Sequence, residues 1–344
     1  MGDIYYLGAN SGDGFRSLYR YFAAGPGDRL HVIKGGPGTG KSSLMRRIGR
    51  EAEKRGLNVD YVLCSGDPDS LDGVYLPALR QGWVDGTAPH VVEPALFGAD
   101  GDYLDLGQFC RLPLAAADEA RARSLGESYR ARYAAAYRIL AAAAALRRTC
   151  LPVRAEADFE QKLRRRIRGI LQRHAPRGAC GAESRRYLSA ISCRGLLKTP
   201  LPETCSLAYR LDEGRGLAPR ALQLVAEEAE ERGLGRILCP LPLDETQLEA
   251  VLLPEAGLAF TAGDWEANQT RGIRLDAMLP PPEAEERRRL RLARQREQET
   301  IDEAVRELAR AKALHDELEG VFRPYMDFAA LDTLAERTIR ALFG

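Results

Sequence analysis

The sequence has few of the features that mark secreted or membrane-spanning proteins. Its seven cysteines stand singly, with no C-x-x-C pair, at positions 64, 110, 150, 180, 193, 205 and 239. The odd number and this spacing argue against a disulfide framework or a zinc site. No apolar run approaches the ~20 residues that span a bilayer, and Met1–Asp3 lacks the basic start of a signal peptide. We therefore expect reduced thiols, no membrane association and a cytoplasmic location.

The chain also lacks an excess of charge of either sign. Fifty Lys and Arg against 49 Asp and Glu give a formal net charge of +1, which favours neither nucleic acid nor a membrane surface as partner. One run, residues 162–168, is basic but contains no aromatic side chain. A solvated helix face or a site for an acidic protein partner is therefore favoured over a nucleic-acid face there. The length of 344 residues suffices for about two domains.

What the sequence does contain is a phosphate-binding pattern. Residues 35–42, Gly-Gly-Pro-Gly-Thr-Gly-Lys-Ser, fit GxxxxGK[ST], the P-loop. The apolar stretch Leu30–Ile33 before it predicts a buried strand, and apolar spacing over Ser43–Lys54 predicts a helix. Strand, glycine loop and helix are the context that the motif requires.

The residue types of the loop explain what it would bind. Glycines let successive backbone N–H groups turn toward one anion, and a helix start adds free N–H groups and the positive end of its dipole. Lys41 would reach the β and γ phosphates, and the Ser42 hydroxyl would hold Mg²⁺. The expected ligand is ATP or another nucleoside triphosphate with Mg²⁺. The predicted binding residues are Gly35, Gly36, Pro37, Gly38, Thr39, Gly40, Lys41, Ser42 and Ser43.

Acidic residues follow two further predicted strands. Asp85 closes the apolar stretch Gly82–Asp85 and is the candidate for the second Mg²⁺ ligand. Its alternative is a turn residue that caps Gly86-Thr87. The stretch Val59–Cys64 predicts another strand, followed by an acidic turn over residues 65–72.

The remaining candidates fall in and after that turn. Asp67, Asp69 and Asp72 are candidates for a general base or for contact with a second substrate, although Asp-Pro and Asp-Ser turns carry such residues for backbone reasons alone. His90 is a weaker candidate, since an isolated histidine is more often structural than catalytic.

The order of predicted elements indicates an α/β fold. A strand at Ile4–Leu7, a turn over residues 8–14 and a helix over Phe15–Ala24 precede the P-loop. Alternating strands and helices predict a mainly parallel, doubly wound sheet with ligands at the carboxyl ends of its strands. Residues 112–177 predict a long helical pair broken at Leu151-Pro152. Residues 280–340 predict a second hairpin or an antiparallel coiled coil.

The second half of the chain resembles the first. Glu51–Leu57 recurs as Glu228–Leu234 with six of seven residues identical, an offset of 233 − 56 = 177. We therefore predict a tandem duplication of an α/β core, each copy followed by a helical hairpin. The predicted segments are a P-loop core over 1–110, a helical hairpin over 111–180, a degenerate core over 181–279 and a second hairpin over 280–344.

The same offset predicts that only the first copy binds phosphate. It aligns Lys41 with Ala218, Ser42 with Pro219 and Asp85 with Ala262. Residues 212–219 therefore lack the lysine and the metal-binding hydroxyl, a proline removes a backbone donor, and two acids stand at the start of the loop. The second half is not expected to bind a nucleoside triphosphate by this route.

Together these motifs resemble those of a little-characterised bacterial family of two-domain P-loop ATPases. The segments that carry the resemblance are Gly8–Ser11 with Gly14-Phe15, Lys34–Ser43, Asp67–Gly73, Asp85–His90 and Leu314–Leu318. The resemblance spans nearly the whole chain and implies ATP binding and hydrolysis, but no particular substrate. Members commonly carry a second P-loop in the second half, where this chain departs from the pattern.

Three functions remain open from the sequence. The first is a Mg²⁺-dependent ATPase that transmits its nucleotide state through helical hairpins to a protein partner. The second is a phosphotransferase acting on a small molecule or nucleotide, and the third is a nucleotide-gated binding module without turnover. The first is favoured because no acceptor motif or arginine-rich lid is recognisable. An arginine finger cannot be assigned among Arg46, Arg47 and Arg80.

Overall fold

The computed structural model describes residues 2–150, 157–175, 181–212 and 214–344, without the side chains of Cys150 and Ala157. The predicted helix break at Leu151-Pro152, together with Cys180 and Glu213, lies outside the described residues. Over those ranges the fold is mixed α/β, with two six-stranded sheets and six α-helices. None of the described helices is both long and apolar enough to traverse a bilayer.

The first half forms a six-stranded sheet and a separate two-stranded hairpin, and helix α1 (Lys41–Lys54) packs on one face of the sheet. Its strands are β1 (Ile4–Tyr6), β2 (Gly8–Ser11), β3 (Gly14–Ser17), β4 (Arg29–Lys34), β5 (Asp60–Leu63), β6 (Leu71–Leu76), β7 (Gln81–Asp85) and β8 (Gly101–Asp105). The sheet has the order β1-β5-β6-β7-β4-β8, while β2 and β3 pair with each other. Helix α1, Lys41–Lys54, follows β4 as the apolar spacing predicts.

The remainder of the chain supplies five helices and a second sheet. The helices are α2 (Ala116–Cys150), α3 (Ala157–His174), α4 (Ala218–Glu231), α5 (Ala284–Phe322) and α6 (Phe328–Phe343). The strands are β9 (Glu183–Arg185), β10 (Ser189–Ser192), β11 (Gly195–Lys198), β12 (Leu207–Asp212), β13 (Arg236–Leu241), β14 (Asp244–Leu253), β15 (Leu258–Ala262) and β16 (Gln269–Arg274).

The two sheets have the same strand order. The second sheet runs β9-β13-β14-β15-β12-β16. Within the described residues each half has eight strands, and adding eight to every strand number of the first sheet gives the order of the second. At the offset of 177, Lys41–Lys54 maps onto 218–231, the bounds of α4, and Gln81–Asp85 maps onto 258–262, the bounds of β15.

The first sheet is mostly parallel, as the sequence predicts, with one antiparallel strand. β4 is parallel to β7 and β8, and β1 is parallel to β5. β6, in contrast, is antiparallel to both of its neighbours. The reason is the connection between β6 and β7: residues 77–80 are too few for the crossover that a parallel pair needs.

The two faces of the first sheet are also covered differently. One face packs on α1 and α6 through residues such as Met45, Ile48 and Leu331. The other packs against residues of the β2–β3 hairpin, the segment around Tyr19, and Tyr187 of the second half. The expectation of helices on both faces, as in a doubly wound sheet, is therefore wrong.

The predicted helix over Phe15–Ala24 is wrong as well. Its first residues form β3, which pairs with β2 in a hairpin whose turn includes Gly14 at φ +93°. Only a short 3-10 helix, Tyr19–Tyr21, follows. Backbone pairing with β2 and burial of Tyr19 and Phe22 under the sheet outweigh the weak helical spacing.

The long helices pair across the halves instead of forming two separate hairpins. α2 and α5 run antiparallel, with ion pairs between Arg132 and Glu307 at 3.1 Å and between Arg147 and Glu297 at 3.1 Å. Their contact is apolar and small-residue-rich, formed by Ala136, Leu140, Ala143 and Ala144 with Ile301, Ala304 and Leu308. α3 packs on α4, and α6 packs on α1. The apolar face of each long helix thus packs against the long helix of the other half.

Candidate functional site

A cleft of about 1150 Å³ lies at the carboxyl ends of β4 and β7. Its walls are the glycine loop, the acidic turn after β5, the segment after β7, and the helices α2 and α5. The fold brings every site residue predicted from the sequence to this cleft. These are Gly35, Gly36, Pro37, Gly38, Thr39, Gly40, Lys41, Ser42, Ser43, Asp67, Asp69, Asp72, Asp85 and His90.

The loop between β4 and α1 has the conformation that its glycines allow. Gly38 and Gly40 have φ of +70° and +87°, a region that side chains disfavour. A Cβ on Gly40 would also lie 2.7 Å from the side chain of Leu331 in α6. The Thr39 hydroxyl donates to the Gly36 carbonyl at 2.8 Å and fixes the turn. These turns place the loop between the end of β4 and the amino end of α1.

Lys41 is held inside this loop. Its Nζ donates to the carbonyl oxygens of Gly35 at 2.8 Å and Gly36 at 3.0 Å, and lies 3.6 Å from Asp85 Oδ2. The Lys41 and Asp85 side chains are only 13% and 14% exposed. The ammonium therefore stands at the cleft with carbonyl and carboxylate partners that another anion can replace.

Asp85 caps the turn after β7 through one carboxylate oxygen and directs the other to Lys41. Its Oδ1 accepts from the Thr87 N–H at 2.8 Å and from the Thr87 hydroxyl at 2.5 Å, which caps the turn after β7. Its Oδ2 faces Lys41 instead. The Ser42 hydroxyl oxygen accepts from the Leu71 N–H at 2.9 Å and retains its own proton and a further lone pair. Both side chains thus offer oxygen ligands at the cleft.

The three acids of the turn after β5 have different surroundings. Asp67 Oδ1 accepts from the Asp69 N–H at 3.1 Å, and its Oδ2 lies 3.4 Å from Lys312 of α5. Asp69 is exposed and pairs with Arg194, in the turn between β10 and β11. Asp67 and Asp69 therefore contact cations of the second half, whereas Asp72 is buried.

Asp72 lies in the wall of the cleft beside His90 and Cys64. Its Oδ2 accepts from the Tyr19 hydroxyl at 2.8 Å and lies 3.6 Å from His90 Nε2. Burial is the main cause that raises the pKa of Asp72, while His90 acts against it. Burial likewise raises the pKa of the Cys64 thiol. The His90 ring stands between those of Phe15 and Tyr19, at 5.0 Å from each.

Sequence reasoning missed the contribution of the long helices to this cleft. The Gly38 N–H, an amide of the glycine loop, donates to Glu319 Oε1 of α5 at 3.3 Å. Lys312 and His315 of α5 and the tyrosines Tyr129 and Tyr133 of α2 line the same space. No local signal indicates this, since Gly38 and Glu319 are 281 positions apart.

The three arginines considered as fingers lie elsewhere. Arg46 and Arg47 line a separate groove between α1 and α6, and Arg47 pairs with Asp332 at 3.0 Å. Arg80 precedes β7 at the end of the sheet opposite the glycine loop, where it lies 3.4 Å from Asp28. The arginines among the described residues that line the cleft are Arg130 of α2 and Arg323, directly after α5, and both are exposed.

The corresponding loop of the second half lacks the lysine and the hydroxyl of the first loop. The Gly214 N–H donates to Asp276 Oδ2 at 2.8 Å, and Asp212 pairs with Arg210 at 2.5 Å. Ala218 and Pro219, which stand where the first loop has Lys41 and Ser42, are buried. The Gly214 amide is therefore already bonded to a carboxylate of the same half, and a smaller cavity of about 480 Å³ lies beside Gly216, Ala218 and Pro219.

Comparisons with models of protein families, with characterised proteins and with solved structures found no match. The resemblance to two-domain P-loop ATPases therefore rests on the motifs quoted above and stays a prediction. The cleft has to be interpreted from its own geometry.

Proposed function

We propose that the first half of this protein is a P-loop NTPase core that binds Mg²⁺ and a nucleoside triphosphate, with ATP as the first candidate, and hydrolyses it. The observation that carries the proposal is the convergence of Lys41, Ser42 and Asp85 at a glycine loop between a strand and a helix. A glycine-rich turn without function would not need a largely buried ammonium and carboxylate beside it.

The residues present fit this ligand. Free amides of the loop and the amino end of α1 suit phosphate oxygens. Lys41 would exchange the carbonyls of Gly35 and Gly36 for phosphate. The Ser42 hydroxyl and the Asp85 carboxylate are the hard oxygen donors that Mg²⁺ prefers. Bound Mg²⁺ would neutralise charge that develops on the phosphates, which is the main contribution of a metal to phosphoryl transfer.

We further propose that the two halves are copies of one ancestral core, of which only the first kept the phosphate site. The equal strand orders and the equal bounds of α1 and α4 at the 177 offset support this. In the second half the loop amide of Gly214 is occupied by Asp276, and Ala218 replaces the lysine. The second half would then act as a scaffold that supplies α5 to the first.

Helix α5 is the element through which nucleotide binding would reach the rest of the molecule. Glu319 accepts from the Gly38 amide, in the loop where a phosphate would bind, so the carboxylate and a phosphate compete and repel. α5 also packs along α2, where its Glu297 pairs with Arg147, and its Glu286 pairs with Arg215 of the second core. A shift at Glu319 would therefore propagate along a continuous helix to surfaces that a protein partner can bind.

A turnover assay separates this function from the two alternatives. Phosphate release from Mg·ATP without an acceptor supports an ATPase. ADP formation that requires an added small-molecule or nucleotide acceptor supports a phosphotransferase, and tight binding without turnover supports a nucleotide-gated module. Lys41→Ala should abolish binding, whereas Lys54→Ala, at the exposed end of the same helix, should not. Equal binding by wild type and Lys41→Ala would refute the proposal.

A further inference from the structure

Three side chains in the wall of the cleft carry donors that the proposed nucleotide site does not use. The thiol of Cys64, the carboxylate of Asp72 and the imidazole of His90 each offer one donor atom, and these atoms all lie within 4.8 Å of one another. Cys64 directly follows β5, Asp72 lies in β6, and His90 follows the cis Ala88–Pro89 bond after β7. Three separate segments therefore deliver one donor each.

The buried carboxylate of this cluster has no permanently charged partner among the described residues, and one nitrogen of the imidazole has no hydrogen-bond partner there. Asp72 is 3% exposed, and within the described ranges no lysine or arginine pairs with it. His90 is 8% exposed, and its Nδ1 is buried without a hydrogen-bond partner among the described residues. A cation held by Asp72 and by His90 Nε2 would neutralise the buried carboxylate and would fix the imidazole as the tautomer that carries its proton on Nδ1.

We propose that Cys64, Asp72 and His90 form a site for a Zn²⁺-class transition-metal ion, separate from the Mg²⁺ site at Ser42 and Asp85. Around a tetrahedral Zn²⁺ with bonds of about 2.0–2.3 Å, neighbouring donor atoms lie roughly 3.3–3.8 Å apart. Asp72 Oδ2 and His90 Nε2 already stand 3.6 Å apart. Mixed sulfur, nitrogen and oxygen donors select Zn²⁺ over Mg²⁺ or Ca²⁺. This goes beyond the proposed NTPase function and does not depend on it.

The surroundings resemble the outer shell of a metal site. The Tyr19 hydroxyl donates to Asp72 at 2.8 Å and orients the carboxylate, and the rings of Phe15 and Tyr19 hold the imidazole between them. All three donors line the cleft, so a fourth coordination position would face it, as in zinc sites that bind water or substrate oxygen. Metal binding would convert the Cys64 thiol to a thiolate and release its proton to solvent.

From the sequence we expect no zinc site, because the cysteines stand singly and form no C-x-x-C pair. That argument covers sites built from closely spaced cysteine pairs, whereas this one takes a single cysteine and two other donor types. The positions span 27 residues, and only the packing of the segments after β5 and β7 around β6 brings them together.

Cobalt titration of the metal-free full-length protein, in the absence of nucleotide, tests the proposal. Co²⁺ bound through a cysteine thiolate gives a charge-transfer band in the near ultraviolet, and tetrahedral Co²⁺ gives strong d–d bands in the visible. We expect both, at one Co²⁺ per chain, with displacement by Zn²⁺ and not by Mg²⁺. Absence of the charge-transfer band from the wild type would overturn the proposal.

Variants assign the donors. Cys64→Ser should remove the charge-transfer band, and His90→Gln should weaken Co²⁺ binding by more than the ~10–100-fold that loss of an outer-shell partner costs. Tyr19→Phe should stay within that range. Cys110→Ser and His315→Gln are controls, the latter because His315, Asp316 and Glu319 form a second group of donors. A band that survives in Cys64→Ser, or is lost in either control, would refute the assignment.

Lys41→Ala distinguishes the metal site from the nucleotide site. It should lose nucleotide binding while keeping the cobalt spectrum, because Lys41 is not one of the donors. A normal spectrum without any nucleotide affinity in the wild type would refute the proposed function and leave the metal site standing.

Discussion

Tyr6 and Tyr187 pair with each other through both of their backbone hydrogen bonds, at 3.0 and 2.9 Å. At the offset of 181 that relates Gly8–Ser11 to Ser189–Ser192, each tyrosine is the counterpart of the other. A residue that pairs with its own counterpart is typical of a two-fold interface. The halves therefore meet as the two subunits of a symmetric dimer would.

The same relation appears where each long helix contacts an acidic turn of the other half. Lys312 of α5 lies 3.4 Å from Asp67, and Arg148 of α2 lies 2.9 Å from Asp244. Asp67 and Asp244 are counterparts at the offset of 177. Only the first of these turns lies beside a glycine loop with a lysine. The contacts between helices and turns are equivalent in the two halves, whereas the two loops differ. By this relation α5, from the second half, completes the cleft of the first.

Lys41→Ala should remove most of the stabilisation that Mg·ATP gives to the protein. At about 100 times its dissociation constant, a ligand stabilises the native state by roughly 2.7 kcal/mol. Lys41 already holds the two loop carbonyls and approaches Asp85, so its loss removes the cation that phosphate would contact. Thermal unfolding with and without Mg·ATP measures the shift, and Lys54→Ala should keep it. An undiminished shift in Lys41→Ala would remove this lysine from the site.

Asp85→Asn should retain part of the nucleotide affinity and lose Mg²⁺-dependent turnover. The amide keeps the capping oxygen for the Thr87 N–H but loses the charge that a metal would need. Asp105→Asn is a matched control, because Asp105 ends β8 on the other side of β4 and accepts from the Gly107 N–H at 2.7 Å in an equivalent turn. Phosphate release over a Mg²⁺ series compares the two. Full activity in Asp85→Asn would place the metal ligand elsewhere, with the turn at Asp67 the next candidate.

Glu319→Gln should tighten nucleotide binding. The carboxylate occupies the Gly38 amide at 3.3 Å and repels an incoming phosphate, and the neutral amide side chain removes that repulsion. A hydrogen bond to a charged acceptor is worth about 1 kcal/mol more than one to a neutral acceptor, which corresponds to a roughly fivefold lower dissociation constant for the variant. Isothermal titration measures it. Glu317→Gln is the control and should have no effect. Glu317 lies on the same helix but is exposed, and it forms an ion pair with the exposed Arg121 at 3.8 Å. Weaker binding in Glu319→Gln would mean that Glu319 supports the ligand instead.

The core of the site could be predicted from the sequence because its signals are local. Strand, glycine loop and helix follow one another within residues 29–54, and Asp85 closes a strand adjacent to β4. The segment Phe15–Ala24 was mispredicted because its structure depends on pairing with β2 and on burial under the sheet, neither of which its own spacing shows.

The partners of α2 and α5 could not be predicted for a related reason. The apolar stripe of each helix indicates that another helix packs on it, but does not identify that helix. A prediction from sequence then chooses the nearest helix in the chain, because short connections usually join helices that pack together. Complementarity of Leu140 and Ala144 with Ile301 and Leu308 decides the pairing, and it can be judged only once both sheets are placed. The contacts of Gly38 with Glu319 and of Asp67 with Lys312 depend on that pairing.

Glu249 in the second sheet should make the protein more stable at mildly acidic pH than at mildly alkaline pH. Burial is the main cause that raises its pKa to about 7, despite the Ser189 hydroxyl that donates to it at 2.6 Å. Because the folded-state pKa lies above that of an unfolded glutamate, the native state binds the extra proton between about pH 4.3 and 7. The contribution of this group is therefore complete below that window and is lost as the pH rises through it.

Glu249→Gln isolates this contribution, since the amide is neutral at every pH. The loss in the wild type should reach at most about 3 kcal/mol between pH 4 and 8, and the variant should lack that part of the pH dependence. Urea denaturation across this range gives the free energy of unfolding of both proteins, and Glu266→Gln, at an exposed position, serves as the control. Parallel curves for wild type and Glu249→Gln would mean that Glu249 ionises in the folded protein as freely as in the unfolded chain. Its burial behind Leu188 and Ser189 would then have to be relieved by water or by movement of β10.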